Sequence, residues 1–320
     1  MTRGRTLSDL GEPGLIDRIS RMARRLDQSG VVLGIGDDAA ILRPRKSEDW
    51  VTSTDATVED VHFRWSEQSA FNVGRRALVA NLSDLAAMGA RPRGFTLALA
   101  APPELELARF DGLLRGLLRE AALHGCPLVG GNLARARQTS LVINVLGCVP
   151  RGRALRRDGL RVGDHLFVTG VLGAAALARA RVESRGGLIR QLPVPRLAAG
   201  QALLGLKGRG ACIDLSDGLL TDLGHLLASS GLGAALDTER LPLPRGFRRN
   251  CHELSLKPLS LALGGGEDYE LLFSLRAGTA ARIPSEELSR RLGVRVTPIG
   301  RVTGGMGITG VPEAKSFLHY

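Results

Sequence analysis

At 320 residues and 44% apolar content, the chain can form two domains of ordinary size with a substantial buried core. Its formal charge of +11 rests on scattered arginines: Arg24-Arg25, Arg75-Arg76 and Arg156-Arg157 never lengthen into a basic tail, and no aromatic platform accompanies them, which argues against a nucleic-acid partner. No stretch reaches the roughly 18 consecutive apolar residues of a membrane span and MTRGRTLSDL holds no apolar leader core, so a soluble, cytoplasmic protein without a membrane partner is expected.

LSDLGEPGLIDRISRMARRL reads as an amphipathic helix with Leu15, Ile16, Ile19, Met22 and Leu26 in one stripe. VVLGIGDDAAIL and WVTSTDATVEDVHF are β-rich, and the connection RPRKSED is too short for a crossover helix, which predicts antiparallel neighbours. GRRALVANLSDLAAMGARP has helical period, GFTLALAAP is an apolar strand, and ELELARFDGLLRGLLREAALHG is helical again. CPLVGG and TSLVINVLGCVP read as strands that close an α/β first half at residue 150; the second half, 151–320, holds a helix at GLLTDLGHLLASSG and strands at EDYELLFSL and RVTPIGRVT. Cys126, Cys148, Cys212 and Cys251 lie far apart with no C-x-x-C pair, as expected of buried small side chains in a reducing compartment.

GIGDDA fits the dinucleotide fingerprint G-x-G-x-x-A, and Asp55 follows about twenty residues on. The context fails, because Pro44 and the short connection leave no room for the helix that would hold a pyrophosphate. Acids instead recur beside Gly, Ser or Thr: Asp37 and Asp38, Asp55, Asp84, Asp214 with Asp217, and Glu267 with Asp268. Two carboxylates at about 4 Å repel by roughly 4 kcal/mol at an effective dielectric near 20, so a converging set needs positive charge. Hard divalent cations with oxygen ligands, Mg²⁺ above all, satisfy that need and also bind phosphate. Asp84, in an otherwise apolar helix, favours this reading, because a buried unpaired carboxylate costs several kcal/mol. SDGL reads equally as a helix N-cap, His62 as an ordinary hydrogen-bonded histidine, and Phe317 as core.

Seven motifs in order, GIGDDAAIL, STDATVEDVHF, ANLSDLAAMGA, LVGG, GRALRRDG, IDLSDGLLTDLGHLL and GGGEDYELLF, closely resemble the thiamine-monophosphate kinase family over residues 7 to 303. The resemblance implies an α/β chain with mixed sheets in the two-domain fold of aminoimidazole-ribonucleotide synthetase. Residues 1–150 would be the ATP- and metal-binding domain, dimerising through its sheet, and 151–320 the C-terminal α/β domain. It implies a homodimer and Mg²⁺-assisted transfer of phosphate from ATP to thiamine monophosphate. Carried over by motif, Asp37, Ser53, Thr54, Asp55, Asp84, Asn132, Asp214 and Asp217 correspond to metal ligands, with Asp37, Asp55, Asp84 and Asp214 central to catalysis. Gly131, Asn132, Arg157 and Ser216 correspond to ATP contacts, and His62, Glu267 and Phe317 to thiamine-phosphate contacts. Two departures stand out: residues 130–133 read GGNL where the family usually has Gly-Gly-Asp-Thr, and Asp60 replaces the glycine of the family's VEG.

Overall fold

The computed structural model describes residues 6–24, 31–33, 41–42 and 45–311. The chain divides into two compact units, residues 1–85, 91–152 and 186–192 in the first and 86–90, 153–185 and 193–320 in the second.

In the first unit, α1 (Gly11–Ala23) precedes two short strands, β1 (Val31–Leu33) and β2 (Ile41–Leu42), that pair antiparallel with each other. Then come β3 (Glu48–Val58), α2 (Ala70–Ala87), β4 (Arg91–Ala101), α3 (Leu107–His124), β5 (Leu128–Arg135) and β6 (Ser140–Pro150). The four longer strands form one sheet in the order β3-β6-β4-β5. Helix α3 is the crossover that allows β4 and β5 to run parallel, while β6 is antiparallel to both its neighbours. The expected pairing of WVTSTDATV with the preceding β segment is therefore corrected: among the described residues the ladder partner of β3 is β6, some ninety residues on. The amphipathic reading of α1 also needs adjustment, since Leu15 and Ala23 are buried but Ile16 is exposed; Leu26 lies outside the described residues.

Period-2 alternation sorts the sheet into two faces. Phe95, Leu97, Leu99, Leu141, Ile143 and Val145 are buried, as are Leu78, Leu82 and Leu85 of α2 and Phe110, Leu113 and Leu117 of α3. The alternate positions, Thr52, Thr54, Ala98 and Val142, are exposed, so this face of the sheet is open. Residues 186–192 join the unit as a strap: the Ile189 amide donates to the Glu67 carbonyl at 2.8 Å, and Asn72 Nδ2 donates to the Ile189 carbonyl at 3.2 Å.

The second unit contains β7 (His165–Thr169), α4 (Ala174–Arg185), α5 (Leu197–Leu204), β8 (Arg209–Asp214), α6 (Leu219–Ala228), β9 (Gly233–Leu236), α7 (Phe247–Glu253), α8 (Pro258–Gly264), β10 (Leu271–Leu275), α9 (Ala277–Ala280), α10 (Ser285–Leu292), β11 (Val296–Thr303) and β12 (Gly307–Thr309). Its six strands run in the order β12-β9-β11-β7-β10-β8, antiparallel except for β12 with β9. Leu166, Val168, Ile213, Leu223, Leu226, Leu272 and Ile299 anchor its core. All four cysteines are buried and unpaired, as expected. No helix among the described residues is long and apolar enough to cross a membrane.

Candidate active site

The first unit supplies an acid–hydroxyl pair. Ser53 and Asp55 stand two residues apart on β3 and so point to the same side of the pleat. Ser53 Oγ donates to Asp84 Oδ2 at 2.5 Å, which joins the strand to the last turn of α2. Asp84 is half-buried between the buried Ser83 and Leu85, and Asp55 is exposed, its Oδ1 accepting the Ala56 amide at 2.7 Å. Asp55 thus lies in mid-strand and Asp84 within a helix, the latter as its apolar surroundings in the sequence predict.

Thr54 projects to the opposite, open face, where Asn144 Nδ2 donates to its Oγ1 at 2.7 Å and to Thr52 Oγ1 at 3.0 Å. Only the backbone of Thr54 lies alongside Ser53 and Asp55. Gly131 and Asn132 fall within β5, which continues to Arg135 instead of ending at the glycine pair. A Cβ at Gly131 would overlap the Leu97 carbonyl of β4, so this position accepts no side chain. Asn132 is in register with Ala98, Val142 and Ala56, one row beyond the row of Asp55, and therefore on the open face. β3 and β5 are the two ends of the four-strand order, three spacings or roughly 14 Å apart. Within one chain the structure does not bring Asn132 to Asp55.

His62 sits in the turn after β3. Its Nδ1 accepts the Val58 amide at 3.1 Å, which fixes the proton of the neutral ring on Nε2 and leaves that nitrogen as an outward donor. Asp60, at φ 64, occupies the left-handed region that favours glycine, and its carboxylate accepts from Gln138 at 3.2 Å. That explains the family's glycine here and why Asp, which tolerates this region, is an acceptable replacement.

The second unit gathers the remaining residues around the C-terminal end of β8. Asp214 closes this strand and is buried; Ser216 and Asp217 follow in the loop to α6. The loop is clamped by the GGGEDYE segment: the Glu267 amide donates to the Ser216 carbonyl at 2.7 Å, and the Tyr269 amide to the Leu215 carbonyl at 2.8 Å. Glu267 and Tyr269 adopt φ of 58 and 50, strained conformations for side-chain-bearing residues that this lacing sustains. Arg179 of α4 faces Glu267, its Nη1 3.7 Å from Oε2. Arg156 engages Asp158 through bonds of 2.9 and 2.6 Å, while its carbonyl accepts the Cys212 amide at the edge of β8. Arg157 is exposed and carries no ion pair among the described residues.

Asp268 differs from expectation. Its carboxylate accepts the amides of Gly173 and Ala175 at 2.6 and 3.3 Å, so it caps the start of α4 instead of joining the acidic set. Burial pushes its carboxyl up to about 6 despite these donors. Sequence reasoning passed over two further acids. Glu270 is buried against Arg196, whose Nε and Nη2 reach Oε2 and Oε1 at 2.6 and 2.5 Å, with Thr169 Oγ1 donating at 2.6 Å. Asp222, in the first turn of α6, is buried, and burial followed by the charges of Asp214 and Asp217 pushes its carboxyl up to about 7. The signal was an acid between Leu220 and Leu223 in an apolar helix, the same pattern that singles out Asp84. Asp37, Asp38 and Phe317 lie outside the described residues, and among the described residues no group of three or more His, Cys, Asp or Glu side chains is gathered to hold a metal.

The first unit, a mixed four-stranded sheet, is matched in sequence by a known domain family: residues 36–149 match the family described as AIR synthase related protein, N-terminal domain. A thiamine-monophosphate kinase of Escherichia coli O157:H7 is 39% identical over 308 residues, covering 92% of this chain and 90% of the relative. The crystal structure of thiamine-monophosphate kinase from Stenotrophomonas maltophilia K279a superposes with a TM-score of 0.80 at 36% identity, over 94% of this chain and 97% of that one. AaThiL complexed with AMPPCP and TMP gives a TM-score of 0.74 at 28% identity, with 99% of both chains covered. The chain belongs to the thiamine-monophosphate kinase family.

Proposed function

We propose that this protein transfers the γ-phosphoryl group of ATP to thiamine monophosphate, producing thiamine diphosphate and ADP. The observation that carries the reading is the pair of oxygen-donor clusters, Ser53–Asp84 with Asp55 in one unit and Asp214, Ser216 and Asp217 in the other, in a chain of this family. The acceptor phosphate is already ionised at neutral pH, so no general base is required. What the residues must do is hold two anions together in line. Arg157 meets polyphosphate oxygens, Ser216 contacts the nucleotide from its clamped loop, and Gly131 lets the β5 backbone approach it. His62 offers its Nε2 proton, and Glu267, at its strained position, offers a carboxylate to the thiamine moiety.

Mg²⁺ fits the carboxylate and hydroxyl oxygens that each unit offers, Ser53, Asp55 and Asp84 with the backbone of Thr54 in the first and Asp214 and Asp217 in the second, and the family resemblance adds Asp37 and Asn132. The amide oxygen of Asn81, buried one turn before Asp84 and lacking a hydrogen-bond partner, marks a place for a coordinated water. When bound, such ions neutralise phosphate charge. The homodimer belongs to this reading, and the open sheet face of the first unit is the surface a second copy would cover. We assign the reaction to the cytoplasm, in keeping with four unpaired buried cysteines.

Purified protein with ATP, Mg²⁺ and thiamine monophosphate is expected to yield thiamine diphosphate, with no labelled γ-phosphate retained on the denatured protein. Retained label would overturn direct transfer. Nucleotide and thiamine diphosphate binding without turnover would instead indicate a binding protein, the outcome that the neutral Asn132 favours.

A further inference from the structure

We propose that Asp222 is a positioning residue that sets the 215–218 loop for nucleotide and metal, an assignment that rests on the kinase reading above. Asp222 Oδ2 accepts the amides of Asp217 at 3.2 Å and Gly218 at 3.1 Å, and its own amide donates to the Gly218 carbonyl at 3.0 Å. The residue is 2% exposed, so these bonds form out of water. The two amides stand at the start of a ten-residue helix, where unpaired N–H groups and the helix dipole ordinarily attract phosphate. Here the chain's own carboxylate occupies them. A phosphate arriving at this loop is left to Arg157 and to a cation on Asp214 and Asp217.

The arrangement also explains how the loop keeps its shape. On one flank the GGGEDYE segment holds the carbonyls of Leu215 and Ser216. On the other, Gly218 at φ 106 runs so close to Gly264 that an added Cβ would lie 2.9 Å from its carbonyl carbon. No side chain at 218 can hold this turn, so its order depends on an acceptor from within α6. Asp222 supplies that acceptor without touching substrate itself.

The test compares wild type with Asp222→Asn, which keeps an acceptor oxygen, and Asp222→Ala, which has none; Asp222→Ser, too short to span both amides, replaces the alanine variant if that fails to fold. Binding of AMPPCP with Mg²⁺ is measured by calorimetry, alongside KM for each substrate and the melting temperature. Losing the acceptor for two amides is expected to weaken Mg²⁺·AMPPCP and raise KM for ATP about tenfold or more, with KM for thiamine monophosphate changed by less than about twofold. Asp222→Asn is expected within about threefold of wild type on every measure, because the acceptor geometry survives. A lower melting temperature with unchanged Mg²⁺·AMPPCP affinity, or equal loss for both substrates, would overturn the assignment. Wild-type protein that binds no Mg²⁺·AMPPCP would reject the kinase reading and the assignment together, whereas normal wild-type binding with an unaltered alanine variant would reject Asp222 alone.

Discussion

Replacing Arg196 by Met removes the partner of a carboxylate at the base of the GGGEDYE segment. Glu270 is 3% exposed and receives two guanidinium bonds and the Thr169 hydroxyl; after the change only the hydroxyl remains. Breaking one side of a buried ion pair costs about 3–5 kcal/mol, since the surviving charge has lost its compensation without regaining water. At about 2–4 °C per kcal/mol for a unit of this size, the melting temperature should fall by roughly 6–20 °C. Trp50 and Trp65 both belong to the first unit, so tryptophan fluorescence would miss the event; far-ultraviolet circular dichroism or calorimetry reads it. Adding Glu270→Gln to Arg196→Met should recover at least half of the loss, because the amide is neutral and still accepts from Thr169. A single-variant loss below about 1 kcal/mol, or a double variant no better than the single, would refute the claim that the pair is desolvated.

Asp268 gives a pH signature. Its folded pKa of about 6 lies above the ordinary 3.8, so between these values the native state holds a proton that the unfolded state lacks, and stability falls as pH rises through that window. The cost, at most about 3 kcal/mol, is fully present at pH 7. Urea unfolding at pH 7 and 5 should show wild type gaining on acidification more than Asp268→Asn does; equal gains would contradict this. Asp60→Gly should raise stability by about 0.5–1 kcal/mol by relieving the left-handed backbone, and a loss in thermal unfolding would place the worth of this residue in its bond to Gln138. Asn132→Asp should lower the Mg²⁺ concentration that gives half-maximal activity, whereas an unchanged titration would show that position 132 is not a ligand.

Periodicity made α2, α3, β4 and β6 legible, because each buries one stripe or one face against a core and the apolar spacing reports it directly. Strand pairing was less accessible: β3 and β6 meet across ninety residues, and nothing local to WVTSTDATV encodes that register. Residue types singled out an acidic set, of which the structure buries Asp214 and bonds Asp84 to Ser53. They could not tell which acid bonds to backbone instead, since the amides that occupy Asp268 come from residues 173 and 175. The exclusion of Thr54 from the side of Ser53 follows from strand alternation and could have been read in advance.

The strap at 186–192 bears on how this protein can be divided. Because Ile189 bonds to Glu67 and Asn72, a fragment ending at Gly152 would lack a piece of its own fold, and the complementary fragment would carry that piece unaccompanied. The units are compact in space but interleaved along the chain, so no single cut separates them into two complete pieces.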